Sequence, residues 1–142
     1  MWKYDYSVVT DASAEQIWRV WADVEQWPQW DKGLVYSKIY GPFVDGSLIE
    51  LKPVGGPKTD AKLTQCVQSK SFLCVSKLPL GTVLKSDHTI ENVDNQTGKI
   101  RITNSIIISG PLSFLFGWLV GRKIEQQIPD AMQCLIERAK DL

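Results

Sequence analysis

The spacing of hydrophobic residues changes period three times along the chain. Trp2–Thr10 alternates aromatic or β-branched residues with polar ones, which predicts a strand. Residues 11–30 then carry apolar residues at helical spacing, residues 33–109 return to a period of two, and residues 110–142 are helical again. The predicted order is therefore one strand, two helices, six strands and one long helix.

The first helix has a clear start in the sequence. Ser13 is a suitable N-cap, Gln16 completes a capping box three residues later, and Glu15 favours the positive end of the helix dipole. The helix has an inward stripe of four apolar residues: Ile17, Val20, Trp21 and Val24. A second short helix or turn at residues 24–30 contains the sequence W-P-Q-W, in which Pro28 stops one turn.

Four tryptophans are concentrated in these two helices: Trp18, Trp21, Trp27 and Trp30. One interpretation is core packing between the short helices and the sheet. The other is a pocket lining for a flat ring system. The sequence leaves both open.

Six strand candidates follow, separated by turn sequences rich in glycine, proline and asparagine. They are residues 34–40, 47–53, 60–67, 72–78, 82–93 and 99–109. Their short connections predict antiparallel neighbours. We expect an α+β fold in which a curved antiparallel sheet of about seven strands is covered by the last helix. Since there is no repeat, linker or low-complexity tract, residues 1–142 are expected to form a single domain.

The last helix has an apolar stripe of ten residues: Leu112, Leu115, Phe116, Leu119, Ile124, Ile128, Met132, Leu135, Ile136 and Ala139. Pro111 suits its first turn, where a missing N–H would have no partner anyway. Pro129 lies inside the pattern and removes one backbone hydrogen bond, so we expect a kink or break near Ile128. Phe114 and Trp118 lie one turn apart and off the stripe. They indicate a pocket mouth, a dimer contact, a membrane-touching rim, or ordinary packing under neighbouring loops.

Composition argues against several classes of protein. Lys plus Arg and Asp plus Glu number 16 each, so the net charge is zero and a general nucleic-acid binder is not expected. No apolar run approaches the roughly 18 residues of a membrane span. The N-terminus lacks the apolar core of a signal peptide, so we expect the mature chain to start at Met1 and the protein to be cytoplasmic.

Three cysteines, Cys66, Cys74 and Cys134, form no C-x-x-C motif and are accompanied by a single histidine, so no metal site is expected. No cofactor-binding motif is present either, and no cofactor is expected. Cys66 and Cys74 are predicted to face each other across a hairpin that turns at residues 69–71. A disulfide and a pair of small buried hydrophobes both fit that geometry, and a reduced compartment favours the second.

Two segments resemble a known superfamily. They are residues 20–31, V-W-A-D-V-E-Q-W-P-Q-W-D, and residues 108–135, which begin I-S-G-P-L and carry the dipeptide G-R at 121–122. Together with the element order, they resemble the START-like or SRPBCC superfamily, in particular its polyketide cyclase/dehydrase and lipid-transport branch. The resemblance implies a helix-grip fold, with a deep apolar cavity between the sheet and the last helix. Members bind lipids, sterols, quinones, polyketides or plant hormones, and a minority catalyse cyclisation or dehydration.

Two polar residues interrupt the inward rows of the last two strands. His88 shares a face with Leu84, Ser86 and Ile90, and Asn104 lies in a row of isoleucines. If these strands pair about the turn at residues 94–98, paired residue numbers sum to about 192, which places His88 opposite Asn104. His88 is then a hydrogen-bonding or acid–base group in the pocket, or a neutral histidine satisfied by the protein. The Asn104 amide bonds a ligand, the protein or ordered water, since an unpartnered amide costs about 1–3 kcal/mol.

We predict that the chain binds a small hydrophobic molecule, such as a lipid, a quinone or a polyketide-like compound, between the sheet and the last helix. The predicted ligand-binding residues are two polar anchors and seven apolar or aromatic walls: His88, Asn104, Ile90, Ile102, Ile106, Leu112, Phe116, Leu119 and Trp30. The expected oligomeric state is a monomer or a weak dimer.

Two rival functions stay open. A polyketide cyclase or dehydratase would use His88 as its acid–base group, and it needs a second ionisable group such as Glu50 or Arg101 to point inward. Arg101 alternates with isoleucines and is expected to face outward. A protein-interaction module would instead dock a partner through Phe114 and Trp118, and its cavity would be filled by side chains.

Overall fold

The computed structural model describes all 142 residues. Its elements in chain order are β1 (Trp2–Thr10), α1 (Ala14–Ala22), a 3₁₀ turn (Val24–Gln29), β2 (Leu34–Tyr40), β3 (Leu48–Pro53), β4 (Thr59–Val67), β5 (Ser71–Lys77), a 3₁₀ turn (Pro79–Gly81), β6 (Val83–Asp94), β7 (Lys99–Ser109), α2 (Ser113–Phe116), a π-helical turn (Gly117–Gly121) and α3 (Arg122–Lys140). The last three follow one another directly, and we refer to residues 113–140 as the C-terminal helix. None of the helices is long and apolar enough to cross a membrane.

The seven strands form one antiparallel sheet in the order β1-β7-β6-β5-β4-β3-β2. The predicted strands are confirmed, with boundaries within one residue of those expected from the pattern. The predicted pairing of β6 with β7 is confirmed as well: His88 lies opposite Asn104. The turn between them is tight enough that its position sets the register of the whole ladder.

The capping box of α1 is present as predicted. The Gln16 backbone N–H donates to Ser13 Oγ at 3.1 Å, and the Ser13 backbone N–H donates to Gln16 Oε1 at 3.0 Å. These bonds start α1 at the end of β1, and its apolar stripe then packs into the concave face of the sheet. The stripe is buried throughout: Ile17, Val20, Trp21 and Val24.

The largest part of the core lies between α1, the 3₁₀ turn at Val24–Gln29 and strands β3 to β5. Aromatic rings dominate it: Trp18, Trp21 and Trp27 surround Phe72, with ring centroids 5.1 to 6.3 Å from the Phe72 ring. Fully burying a ring of this size stabilises the fold by about 3 kcal/mol. The tryptophans near the N-terminus therefore serve the core in the first place.

The C-terminal helix differs from its prediction in two respects. It is helical through Pro129, so the expected break near Ile128 does not occur. The irregularity lies upstream, in the π-helical turn Gly117–Gly121. Small residues rather than leucines face the sheet there, because a Cβ on Gly117 or Gly121 would come within 2.7 and 2.6 Å of the Trp2 ring.

The predicted apolar stripe is therefore wrong in its first third. Leu115 and Leu119 keep 47% and 46% of their surface exposed, because the side that meets Trp2 is lined by Ser113, Gly117 and Gly121 instead. The π-helical turn changes the helical phase between the two parts of the stripe. Beyond it, α3 buries Ile128, Met132 and Leu135 as expected. These three belong to a longer buried row: Ile128, Ala131, Met132, Leu135, Ile136 and Ala139.

The predicted pairing of Cys66 with Cys74 is also wrong. Leu63 lies opposite Cys74, because a bulge with Gln65 in the left-handed region (φ 48°) interrupts the ladder between Thr64 and Val67. The Cys66 backbone N–H donates to Asp45 Oδ1 instead. All three cysteines are free, and burial raises the pKa of the Cys74 thiol to about 12, which fits a small buried hydrophobe.

Candidate functional site

The concave face of the sheet is unevenly covered. In β4 and β5 the inward side chains are buried, as in Leu63, Phe72 and Cys74. In β1, β6 and β7 several inward side chains keep accessible surface although they point toward the C-terminal helix. We call this partly exposed region the groove, and it is formed by Tyr4, Tyr6, Leu84, Ser86, His88 and Asn104.

The placement of the C-terminal helix leaves the groove open. Its contacts with the sheet are mainly to the edge strand β1, and its C-terminal half packs on α1. The C-terminal helix comes close to β1 at Trp2, because the Trp2 ring leaves no room for a Cβ at Gly117 or Gly121. The helix therefore lies over one edge of the sheet, and Leu84, Ser86 and Asn104 keep accessible surface next to the buried isoleucines of β7. Four apolar residues in or just before the first half of the helix are partly exposed: Leu112, Phe116, Val120 and Ile124.

A row of polar side chains crosses the groove. Tyr6, Asn104 and His88 lie opposite one another on three adjacent strands. Ser86 lies one inward position before His88, and its hydroxyl donates to Asn104 Oδ1 over a long distance of 3.4 Å. A bond this long is weak, so hydroxyl and amide groups remain capable of binding a ligand.

His88 lies where the groove meets the aromatic core. Its ring stacks on Phe72 with centroids 4.2 Å apart and an angle of 7°, and it meets Trp21 edge-on at 5.6 Å. Burial lowers the pKa of His88 to about 4, so the imidazole is neutral at pH 7. No carboxylate touches the ring. Although the residue keeps some accessible surface, its Nδ1 is buried without a hydrogen-bond partner.

The predicted adjacency of His88 and Asn104 is thus confirmed in the register, but the two side chains form no hydrogen bond with each other. Two more buried nitrogens lack partners, the indole Nε1 atoms of Trp21 and Trp30. An unpartnered buried polar group costs about 1–3 kcal/mol. All three lie in or beside the aromatic cluster that contains Trp27 and Phe72.

The other predicted ligand residues fall into three groups. Ile102 and Ile106 are buried, and Ile90 and Trp30 are partly buried against the core. Leu112 and Phe116 are partly exposed at the start of the C-terminal helix. Leu119 differs from the other predicted ligand residues, because it is exposed on the outer side of that helix, away from Trp2.

Sequence reasoning missed four groove residues: Tyr4, Tyr6, Leu84 and Ser86. The signal for Ser86 was present, since it shares the inward row of His88. The tyrosines of β1 alternate with polar residues in a way that predicts only an inward face. Whether that face is covered depends on the position of the helix, which no local pattern contains.

Both ionisable candidates for a partner of His88 lie on the outer face of the sheet. Glu50 accepts hydrogen bonds from Tyr36 at 2.8 Å and Tyr40 at 3.2 Å, and the first of these bonds lowers the pKa of its carboxyl. Arg101 forms a salt bridge with Glu91 at 3.7 Å, on the outward side as expected. The inward positions of all seven strands carry no Asp, Glu, Lys or Arg.

Two clefts are found at the opposite end of the molecule. One of about 250 Å³ lies between β1 and α3, beside Lys99 and Lys140, and one of about 410 Å³ lies between α1 and the end of α3, beside Arg19 and Arg138. Neither is lined by any of the nine predicted ligand residues. No three His, Cys, Asp or Glu side chains are grouped so that they could hold a metal ion.

No protein-family model and no curated protein matches the sequence. Solved structures do match. A START superfamily protein from Mycobacterium smegmatis is 15% identical with a TM-score of 0.69, covering 98% of this chain and 97% of that one. Ara h 8.0201 is 10% identical with a TM-score of 0.71, covering 99% of both chains.

The di-domain ARO/CYC protein BexL, from the BE-7585A biosynthetic pathway, is 11% identical with a TM-score of 0.72. The match covers 99% of this chain and 47% of that one. At these identities the likeness concerns the fold, and it confirms the architecture that the sequence motifs imply. The chain has an α+β helix-grip fold like that of these solved structures, with a seven-stranded antiparallel sheet and a long C-terminal helix packed against it.

Proposed function

We propose that this protein binds a small, uncharged hydrophobic molecule in the groove between strands β1, β7 and β6 and the C-terminal helix. The observation that carries the proposal is the accessible surface of inward-facing side chains at Tyr6, Ser86 and Asn104, whereas inward side chains of β4 and β5 such as Leu63, Phe72 and Cys74 are buried. Helix-grip proteins typically use this space for hydrophobic ligands. Ligand sites are generally apolar with a few convergent polar groups, which is the composition found here.

The groove also limits the chemistry of the ligand. Since no charged side chain points inward from the sheet, an ionised headgroup deep in the groove would lose its hydration without a counter-charge. The available partners are the Ser86 and Tyr6 hydroxyls, the Asn104 amide and the neutral His88 imidazole. A hydroxyl or carbonyl group on an apolar body matches them, which is the chemistry of a neutral lipid, a quinone or a polyketide-like compound.

These features favour binding over acid–base catalysis. General acid–base catalysis works best with a pKa near the operating pH, and that of His88 lies at about 4. Glu50 and Arg101 point away from the groove, so neither completes a pair with His88. In our proposal His88 is a hydrogen-bonding anchor beside Asn104.

The proposal is tested with Nile red, a neutral apolar dye that carries a carbonyl group. Ser86→Trp places a large ring in the groove, whereas Ser105→Trp places the same ring on the outer face of the neighbouring strand β7. We expect the first substitution to weaken dye binding, followed by fluorescence titration, by at least about tenfold because it removes the volume that the dye occupies. The second should leave the dissociation constant unchanged.

Equal binding by both variants would contradict the assignment of the site to the groove. The anchor role is tested with a second matched pair, Asn104→Leu and Ser105→Leu. Only the inward substitution, Asn104→Leu, should weaken binding of the dye. Native mass spectrometry of the protein purified from its own host, before and after denaturation, would then identify the natural ligand.

A further inference from the structure

The outer side of the C-terminal helix carries a cluster of exposed apolar side chains. Phe114 and Trp118 keep 78% and 61% of their surface exposed, and Leu115 and Leu119 lie beside them. Exposed apolar residues elsewhere in the chain are mostly single side chains on strands or turns. Four large ones on one short helical face form a contiguous surface, which in a water-exposed protein marks a site of interaction.

Leu80 adds a fifth apolar side chain at the same end of the molecule. The turn Pro79–Gly81 packs against the residues that start the helix: the Leu112 backbone N–H donates to Thr82 Oγ1 at 3.3 Å, and a Cβ on Gly110 would come within 2.7 Å of the Gly81 carbonyl oxygen. Leu80 is 77% exposed and has φ 58° and ψ 41°. A leucine in this left-handed conformation is strained, and its exposed side chain gains nothing from the fold in return.

Basic residues border the same apolar surface. The exposed helical residues form two rows with a spacing of four, Phe114–Trp118–Arg122 and Leu115–Leu119–Lys123, and each row ends in a cation. Arg122 and Lys123 are exposed and form no salt bridge, and Lys77 just before the turn is exposed and unpaired as well. Residues 77–82 and 110–123 contain no acidic residue.

We propose that this surface, formed by Leu80, Phe114, Leu115, Trp118 and Leu119, docks on an anionic lipid bilayer. Aromatic and leucine side chains beside cations are the composition of peptide faces that insert into the headgroup region, and Trp is enriched at that depth. Each Lys or Arg near an anionic membrane adds attraction, and here the cations lack internal partners. The three unpaired cations beside the apolar residues favour an anionic bilayer over a partner protein of ordinary mixed charge.

The surface adjoins the groove, so a bilayer docked on it would be a source of hydrophobic ligand for the groove. Leu84, the groove residue nearest the Pro79–Gly81 turn, lies close to the start of β6, and Leu112 and Phe116 line the start of the helix. Docking of this end would bring the groove opening to the bilayer. The inference extends the proposed function by naming the membrane as the place where a hydrophobic ligand is exchanged, and the docking itself does not depend on it.

The test is flotation of the full chain with vesicles of phosphatidylcholine alone and of phosphatidylcholine mixed with phosphatidylglycerol. We expect binding to the mixed vesicles, and a loss of about tenfold or more in Phe114→Ser/Trp118→Ser. Arg122→Gln/Lys123→Gln should lose severalfold on the mixed vesicles only, in a salt-dependent manner. The matched control is Val35→Ser/Tyr40→Ser, which removes two similarly exposed apolar residues from β2 and should bind like the parent chain.

Leu80→Asn separates a functional from a structural role of the strained leucine. Asparagine tolerates the left-handed conformation, so this variant should be at least as stable as the parent chain in chemical denaturation and yet bind vesicles more weakly. Reduced stability with unchanged vesicle binding would overturn the role given to Leu80.

Absence of vesicle binding by the parent chain, or equal loss in the Val35→Ser/Tyr40→Ser control, would overturn the docking proposal. Sedimentation velocity that shows a dimer dissociated by Trp118→Ser would also overturn it, because a second copy would then cover the face. Nile red binding distinguishes the two proposals. Dye entry without vesicle binding leaves the groove function standing alone, and vesicle binding without dye entry leaves the docking surface alone.

Discussion

The two halves of the concave face are built from the same kind of strand but end in different states. Under α1, the inward residues of β3 to β5 meet a cluster of aromatic rings and are buried. Under the first half of the C-terminal helix, Tyr6 of β1, Ser86 of β6 and Asn104 of β7 keep accessible surface, although the inward isoleucines of β7 are buried. Bulky side chains fill the first half, whereas the start of the helix meets the second half mainly at β1, where Gly117 and Gly121 lie against Trp2. The difference shows that openness here results from where a helix is held, not from the polarity of the strands beneath it.

The comparison predicts a large asymmetry in stability between two inward positions. Phe72→Ala in the packed half should lower the free energy of unfolding by about 3–5 kcal/mol, because it leaves a cavity among three tryptophans. Leu84→Ala in the groove should cost well under half of that, since its side chain is already partly exposed. Urea denaturation of both variants measures the difference. Similar losses would mean that the groove is as tightly packed as the aromatic half.

His88, at the boundary between the two halves, predicts a dependence of stability on pH. Its pKa in the folded protein is lowered by burial to about 4, below that of the unfolded chain, so the unfolded state binds the proton first as the pH falls. The free energy of unfolding is therefore highest above about pH 6.5, where His88 is neutral in both states. It falls as the pH is lowered toward 4, by roughly 3 kcal/mol at most.

His88→Phe keeps a flat ring against Phe72 and removes the titration. Because His88 is the only histidine, the variant should lose most of the slope of unfolding free energy between pH 7 and pH 5. Asp31, whose pKa burial raises, acts with the opposite sign at lower pH and is present in both proteins. An unchanged slope in His88→Phe would show that the imidazole is not desolvated.

The close approach of helix and sheet at Trp2 predicts a smaller effect of unusual sign. Replacing glycine by alanine in a helix normally stabilises it by about 1 kcal/mol. Gly121→Ala should instead destabilise the protein by about 1–3 kcal/mol, because the new methyl group would come within 2.6 Å of the Trp2 ring. Combining it with Trp2→Leu should recover much of the loss in a double-mutant cycle. Stabilisation by Gly121→Ala alone would contradict the tight contact that holds the helix over β1.

Much of the architecture could be read from local patterns. The period of two gave the strands nearly to the residue, the Ser13–Gln16 capping box started α1 where predicted, and the short turn after Asp94 set His88 opposite Asn104. Each of these depends on residues close together in the chain. Steric limits and hydrogen bonds within a few residues are sufficient to decide them.

Three predictions went wrong where distant parts of the chain compete. A bulge at Gln65 moved Cys66 away from Cys74, and the ladder tolerates it because Asp45, a residue far away in sequence, accepts the freed N–H. Leu115 and Leu119 fit an inward stripe by spacing alone. Gly117 and Gly121 face inward instead, because the Trp2 ring leaves no room for a side chain there. The helix passed through Pro129 because packing of its apolar face on α1 outweighs one missing hydrogen bond.

The sequence by itself determined the fold class, the strand register around His88 and the apolar character of the inward face, since these follow from periodicity and turn length. Only the tertiary structure decided which inward residues are covered, that Glu50 and Arg101 face away from His88, and that four large apolar side chains of the C-terminal helix face outward. The physical reason is that burial is a property of pairs of surfaces. A side chain's own period fixes the direction in which it points, but a partner more than a hundred residues away, as Trp2 is for Gly117, fixes what it meets.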